Sequence, residues 1–312
     1  MNILGHEKQL SYLRRVVERE RVAHALLFEG PEGVGKKKTA LYLAQLLNCR
    51  SQNACGSCPA CRKTVQCIHP DLTVLEPDGQ FVKIGQIREL SEFMRLRPYE
   101  GKTKVAIIDQ AERFNINAGN ALLKTLEDPP GHSIMILVTS NPGALPPTVR
   151  SRCQSMSFSR IPEKELAAYL REKGRDRPEL RAALAEGSIS RAFEDIDEYL
   201  QFRNDLLEKL RTLNQIEELF TFAEKSAGAK ADLEKLLICL QGLFRDKWLL
   251  THEIDSIRNR DIIERLRAWE ISGKEAEKGL WSIEQAGSEL KFNVTPRLLW
   301  ETVLLGLPQN RS

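Results

Sequence analysis

A glycine-rich turn between an apolar run and an amphipathic stretch constrains this chain more than any other feature. Ala25-Leu26-Leu27-Phe28 leads through Glu29 into Gly30-Pro31-Glu32-Gly33-Val34-Gly35-Lys36-Lys37, the glycine and lysine spacing of a phosphate-binding loop. Gly30, Gly33 and Gly35 let backbone N–H groups turn toward a polyphosphate at a helix start, and Lys36 would reach its terminal phosphates. The competing reading is a chance glycine-rich turn, which the strand before it and the helix after it disfavour. Such a strand belongs to a sheet covered on both faces, hence to an α/β fold.

The first half of the chain agrees. Leu72–Leu75, Val105–Ile108 and Ile134–Val138 are further continuous apolar runs bounded by polar, Gly or Pro residues, as strands buried on both faces require. Past Pro162 the strand signals stop, and helical periodicity runs through Lys164–Glu172, Leu206–Leu213 and Leu233–Leu250. We expect an α/β domain with a mostly parallel sheet over 1–160, a small helical lid over 161–204 and an all-α domain over 205–312. A length of 312 residues suits two or three domains. With 29% charged and 42% hydrophobic residues, the disordered and membrane classes are excluded. No segment has the apolar length to span a bilayer, and Met1 to His6 show no leader pattern, so no membrane association is expected and the cytoplasm is the expected location. A net charge of +3, with acids and bases interleaved, makes no electrostatic case for nucleic-acid binding.

The loop departs from its pattern where metal chemistry is concerned. The position after Lys36 normally carries Ser or Thr, whose hydroxyl holds magnesium, and here it is Lys37. Thr39 lies two residues on, and at ~100° per residue its side chain points to nearly the opposite face. A second ammonium facing a divalent cation adds like-charge repulsion. The strand at 104–108 ends in Asp109-Gln110-Ala111-Glu112, where a supporting acid pair belongs. Asp109 can support magnesium through water or be an ordinary strand-end residue with local hydrogen bonds. Gln110 cannot accept a proton at neutral pH. Hydrolysis is therefore not expected, and ATP binding is left open.

Four of the seven cysteines form Cys49-x5-Cys55-x2-Cys58-x2-Cys61, the spacing of a closed structural Zn²⁺ site with four thiolates. Without a secretory leader, such a cluster indicates metal sooner than disulfides. Gly56, Ser57 and Pro59 suit the tight turns between ligands. A redox dithiol and a DNA-reading zinc module compete, the latter without a recognition helix. Cys67 falls outside the spacing and is expected to be a buried free thiol.

Three stretches resemble the bacterial DNA polymerase III clamp loaders, of the AAA+ class. These are Asn120-Ala121-Leu122-Leu123-Lys124-Thr125-Leu126-Glu127-Asp128-Pro129-Pro130, Thr139-Ser140-Asn141-Pro142 and Ser151-Arg152-Cys153. The resemblance covers the first two hundred residues well and the remainder loosely. It implies an AAA+ (P-loop NTPase-like) α/β domain, a helical lid and an all-α C-terminal collar, with a zinc insertion at 49–61. It assigns Ser140 to the sensor 1 strand end beside the nucleotide site formed by Gly30, Gly33, Gly35, Lys36 and Asp109. It also puts Gln110 where a glutamate orients the attacking water. Arg152 takes the position of an arginine finger that projects into a neighbouring subunit's ATP site, where a planar, permanently charged guanidinium neutralises developing phosphoryl charge. Outside the family, a lone arginine at a domain edge reads as a solvated charge.

Gly187-Ser188-Ile189-Ser190-Arg191-Ala192 resembles the sensor 2 region. The segment Leu290–Glu301 is similar to the last collar helix, although an ordinary amphipathic helix explains it as well. A retained finger beside a damaged ATPase site implies a non-hydrolysing stator in a hetero-oligomeric ring. Its partners would be gamma/tau motor subunits and a clamp-opening delta subunit, and the ring would load the beta sliding clamp onto primed DNA. The alternatives are an active gamma/tau-like ATPase that tolerates Lys37 and a zinc-dependent nucleic-acid-binding protein.

Overall fold

The computed structural model describes residues 2–212 and 230–289. Two compact units make up this part: residues up to Asp176 with Ala185–Ala192, and Arg177–Leu184 with the described residues from Phe193 onward.

The first unit is built on five parallel strands, β1 (Ala25–Glu29), β2 (Leu72–Leu75), β3 (Lys104–Ile108), β4 (Ser133–Thr139) and β5 (Gln154–Ser157), in the order β2-β3-β4-β1-β5. Helices α1 (Glu7–Glu18), α2 (Lys36–Asn48), α3 (Pro59–Val65), α4 (Ile84–Arg95), α5 (Ile116–Glu127), α6 (Pro147–Arg150) and α7 (Glu163–Glu172) accompany them.

Successive side chains of a strand point to opposite faces, and β1 uses both. Leu26 and Phe28 join a core with Leu13 of α1 and Leu43 of α2, while Ala25 and Leu27 join a second core with Ile87 of α4 and Leu122 of α5. This two-sided burial explains why the first four strands read as continuous apolar runs. The fifth strand carried no such signal. Gln154-Ser155-Met156-Ser157 is polar and mostly exposed at the sheet edge, held by its ladder to β1 and by Gln154 Nε2, which donates to the Tyr12 hydroxyl at 2.7 Å.

Because β3, β4 and β1 are adjacent and parallel, their C-terminal ends open on one edge of the sheet. The chain leaves β1 and crosses to β2 on the far side of β4 and β3. Ligand crevices of open α/β sheets form at such a reversal. The glycine loop leaves β1 there, Asp109 follows β3 and Ser140 follows β4.

Beyond Pro162 the described chain is helical, with α7, α8 (Pro178–Ala185), α9 (Ile189–Phe193), α10 (Ile196–Thr212), α11 (Lys230–Thr251), α12 (Ile263–Arg267) and α13 (Gly273–Glu289). The helical stretches expected from Leu206 and Leu233 begin on α10 and α11, and Leu290–Glu301 lies outside the described residues. In the second unit Leu207, Leu243, Phe244, Leu266 and Trp269 share one core. Buried Arg203 is held there by Asp261 through two hydrogen bonds, at 2.9 and 2.5 Å, and by Asn259 at 3.1 Å.

Two buried polar side chains fasten the segment that enters β3. Asp71, fully buried after β2's entry turn, accepts from the backbone N–H groups of Tyr99, Glu100 and Gly101 at 2.7–2.8 Å and faces Lys104 Nζ at 3.1 Å. Asn48 Oδ1 accepts from the N–H groups of Lys102 and Thr103 at 2.9 and 3.0 Å. Burial alone would push the Asp71 carboxyl up, but these donors outweigh it and hold the pKa at about 2. A depressed folded-state value means stabilisation is fully present above the ordinary carboxylate range and is lost as pH falls through about 2. Asp71→Asn is expected to destabilise the α/β unit by roughly 2–3 kcal/mol at neutral pH. In an acid-titrated melting series it should also flatten the loss of stability below pH ~4.

Candidate nucleotide, arginine and metal sites

The glycine loop has the backbone that its residues dictate. Gly30 has φ +146°, and a Cβ there would lie 2.1 Å from the Phe158 carbonyl oxygen. Gly33 has φ +73°, and its Cβ would lie 2.0 and 2.1 Å from the hydroxyls of Ser188 and Ser190. Only glycine fits either position. The Gly33 carbonyl also accepts from the N–H groups of Ile189 and Ser190 at 2.8 and 3.3 Å, so the start of α9, which carries Arg191, is seated on the loop. Gly35 takes a left-handed conformation at the N-cap of α2.

The two ammonium groups of the loop are engaged within the protein. Lys36 Nζ turns back and donates to the carbonyls of Gly30 and Pro31 at 2.6 and 2.5 Å. Burial lowers its pKa, against the opposing pull of Glu112, Glu32 and Asp109. Lys37 Nζ pairs with Glu76 Oε1 and stands 3.2 Å from Asp109 Oδ2. Burial pulls this ammonium down, yet Glu76 and Asp109 together hold it above its ordinary value. The Thr39 hydroxyl donates to Gly35 O at 3.0 Å on a buried side chain.

Asp109 closes β3, its N–H donating to Leu75 O at 2.9 Å and its Oδ1 accepting from the Gln110 N–H at 3.1 Å. Gln110 itself is left-handed, at φ 51°. Ser140 donates from both its N–H and its hydroxyl to Glu112 Oε1, at 3.2 and 2.5 Å. The other Glu112 oxygen is buried without a hydrogen-bond partner. The structure therefore brings Gly30, Gly33, Gly35, Lys36, Lys37, Asp109 and Ser140 to one edge of the sheet. It adds Glu76 and Glu112, whose roles were not legible in sequence. Glu76 directly follows β2, and only the pairing of β2 with β3 brings it beside Asp109.

Arg152 lies apart from this loop, just after α6. Its Nη2 pairs with Glu127 Oε1 at 2.7 Å and its Nη1 donates to Thr148 O at 2.9 Å. Both partners of the ion pair are more than a third exposed, at 37% and 54%. A pair this open is worth about 0–1 kcal/mol, so the guanidinium is presented without being locked.

The sulfurs of Cys49, Cys55, Cys58 and Cys61 all lie within 4.8 Å of one another, and those of Cys49 and Cys58 are 3.9 Å apart. A tetrahedral metal with ~2.3 Å metal–sulfur bonds sets its sulfurs ~3.8 Å apart, so the donor set fits such an ion. Cys58 caps α3, and the N–H groups of Cys58 and Cys61 donate to the sulfurs of Cys55 and Cys58, both at 3.4 Å. Burial works against the Cys49 thiolate, but the Ser51 hydroxyl and neighbouring N–H groups outweigh it and lower the pKa to about 5. The Ser57 hydroxyl and the Cys58 N–H bring Cys55 to about 7. Burial shifts Cys61 the other way. Cys67 corrects an expectation, because it is exposed and not buried. It follows the end of α3 in a left-handed turn, at φ 56°.

The profile of a family described as DNA polymerase III, delta subunit, matches residues 5–162, just over half of the 312 residues. The chain belongs to this family. DNA polymerase III subunit delta′ of Bacillus subtilis is 28% identical over 320 aligned residues, spanning 96% of this chain and 95% of that protein. The subunit of the same name from Pseudomonas aeruginosa is 40% identical over 140 residues, 43% of each chain. A gamma subunit-related protein from Thermotoga maritima has a similar fold, with a TM-score of 0.51 at 19% identity over 97% of this chain and all of that one. The family match takes in the glycine loop, the cysteine cluster, Asp109, Ser140 and Arg152.

For this family member, the purified chain is expected to carry one tightly held metal ion by elemental analysis. Cys61→Ser should lose that ion and lower the melting temperature by several degrees. Strong chelators should do the same to the unmodified chain, because binding free energy at such a site is folding free energy.

Proposed function

We propose that the chain is the delta-prime subunit of a DNA polymerase III clamp loader, a stator that hydrolyses no ATP and offers Arg152 to the ATP site of a neighbouring subunit. The observation that carries this reading is the contrast between two charged groups. Lys37 is ion-paired with Asp109, the acid that would support a metal, while Arg152, exposed to the same degree, pairs with Glu127 just after α6 and with none of these site groups. A subunit that hydrolysed ATP would need a free carboxylate and a hydroxyl for magnesium. One that serves a neighbour needs only an accessible, permanently charged guanidinium.

In this reading the partners are gamma/tau motor subunits and a delta subunit in a hetero-oligomeric ring that loads the beta sliding clamp onto primed DNA in the cytoplasm. The four-cysteine cluster holds structural zinc, the ion that favours four thiolates in a closed tetrahedral site. The helical segment 161–204 acts as a lid and the region from 205 onward as the collar.

The test is reconstitution with gamma/tau and delta subunits. Arg152→Ala is expected to slow hydrolysis at the one site it serves by on the order of 10³, with ring assembly intact by gel filtration. An unchanged rate removes the finger role. Turnover by the isolated chain that Lys36→Ala abolishes identifies a motor subunit instead.

A further inference from the structure

P-loop domains hold a divalent cation between a hydroxyl at the start of the loop's helix and an acid at the end of a neighbouring strand. The residues of this chain do not fit that ion. The required hydroxyl is replaced by Lys37, and the nearest alternative, Thr39, donates into its own helix at Gly35 O. The acid is present, but it already faces an ammonium at 3.2 Å.

We infer that the Lys37 ammonium is the resident cation of this site, a covalently attached charge in the place of the metal. Its geometry is that of a bridging ion. It meets Asp109 at the end of β3 and Glu76 at the end of β2, carboxylates that the parallel pairing of those strands brings together. Two carboxylates at adjacent strand ends repel each other unless a cation lies between them. Neither has another cationic partner among the ion pairs of the described residues. The raised pKa of Lys37 agrees, since it remains charged at every physiological pH. A divalent ion entering here would have to displace a tethered charge whose local concentration it cannot match.

Lys37 is thus more than the loss of a ligand. It offsets part of the charge of these two carboxylates without metal, and its removal should uncover a site that binds one. This inference does not depend on the role of Arg152, and the two fail separately. The test uses the full chain and magnesium alone, read by thermal melting. The wild-type melting temperature is expected not to move with millimolar Mg²⁺. Lys37→Thr should melt several degrees lower without metal and recover most of that loss in Mg²⁺. Lys37→Thr combined with Asp109→Asn should lose the response.

A wild-type chain stabilised by Mg²⁺, or a Lys37→Thr chain indifferent to it, overturns the inference. If Lys37→Thr does not fold, Mn²⁺ added to the wild-type chain and followed by its electron paramagnetic resonance signal decides. The signal of free Mn²⁺ should be undiminished, and a loss of signal that Asp109→Asn abolishes overturns the inference.

Discussion

Everything in the α/β unit depends on burying β3, β4 and β1 on both faces. A backbone placed between two apolar layers must satisfy its N–H and C=O groups within the sheet, so the three strands are bound into one ladder. With the ladder fixed, their ends are fixed. The glycine loop, Asp109 and Ser140 meet because adjacent parallel strands end on the same edge, although more than a hundred residues separate the first from the last.

That edge is constructed so that its polar groups answer one another. Lys36 is satisfied by loop carbonyls, Lys37 by Asp109 and Glu76, and Ser140 by Glu112. The loop is further committed as a seat for α9 through Gly33. A pocket that catalyses phosphoryl transfer keeps such groups ready for charge that develops in the reaction. Here each of these groups has a partner within the protein. Arg152 stands outside this set, in an ion pair with Glu127 that is open to solvent and weak.

The supports around this edge are polar as well as apolar. Asp71 and Asn48 pin the backbone from Tyr99 to Thr103 through direct N–H donors. They thereby set where β3 begins and where Asp109 emerges at its other end. The cysteine cluster lies just beyond α2, the helix that starts at the loop and ends in Asn48. One helix therefore links the glycine loop, the Asn48 clasp and the first cysteine.

The strands buried on both faces, the glycine loop with its Lys37 and Gln110 departures and the cysteine spacing were fixed by sequence alone. Each rests on local chemistry: continuous apolar runs, residues that tolerate positive φ, and ligands a few residues apart. Tertiary structure decided the rest. β5 is a strand only because β1 offers it a ladder, since its own residues are polar. Cys67 is exposed, in a left-handed turn that its neighbours in sequence do not announce. Glu76, Glu112 and Glu127 are ordinary exposed-type acids in the sequence, and they gain partners only when strand order and helix packing carry them to Lys37, Ser140 and Arg152. Sequence names which charges a chain carries, but Coulomb interactions act over a few ångströms, and only the fold sets which charges come that close.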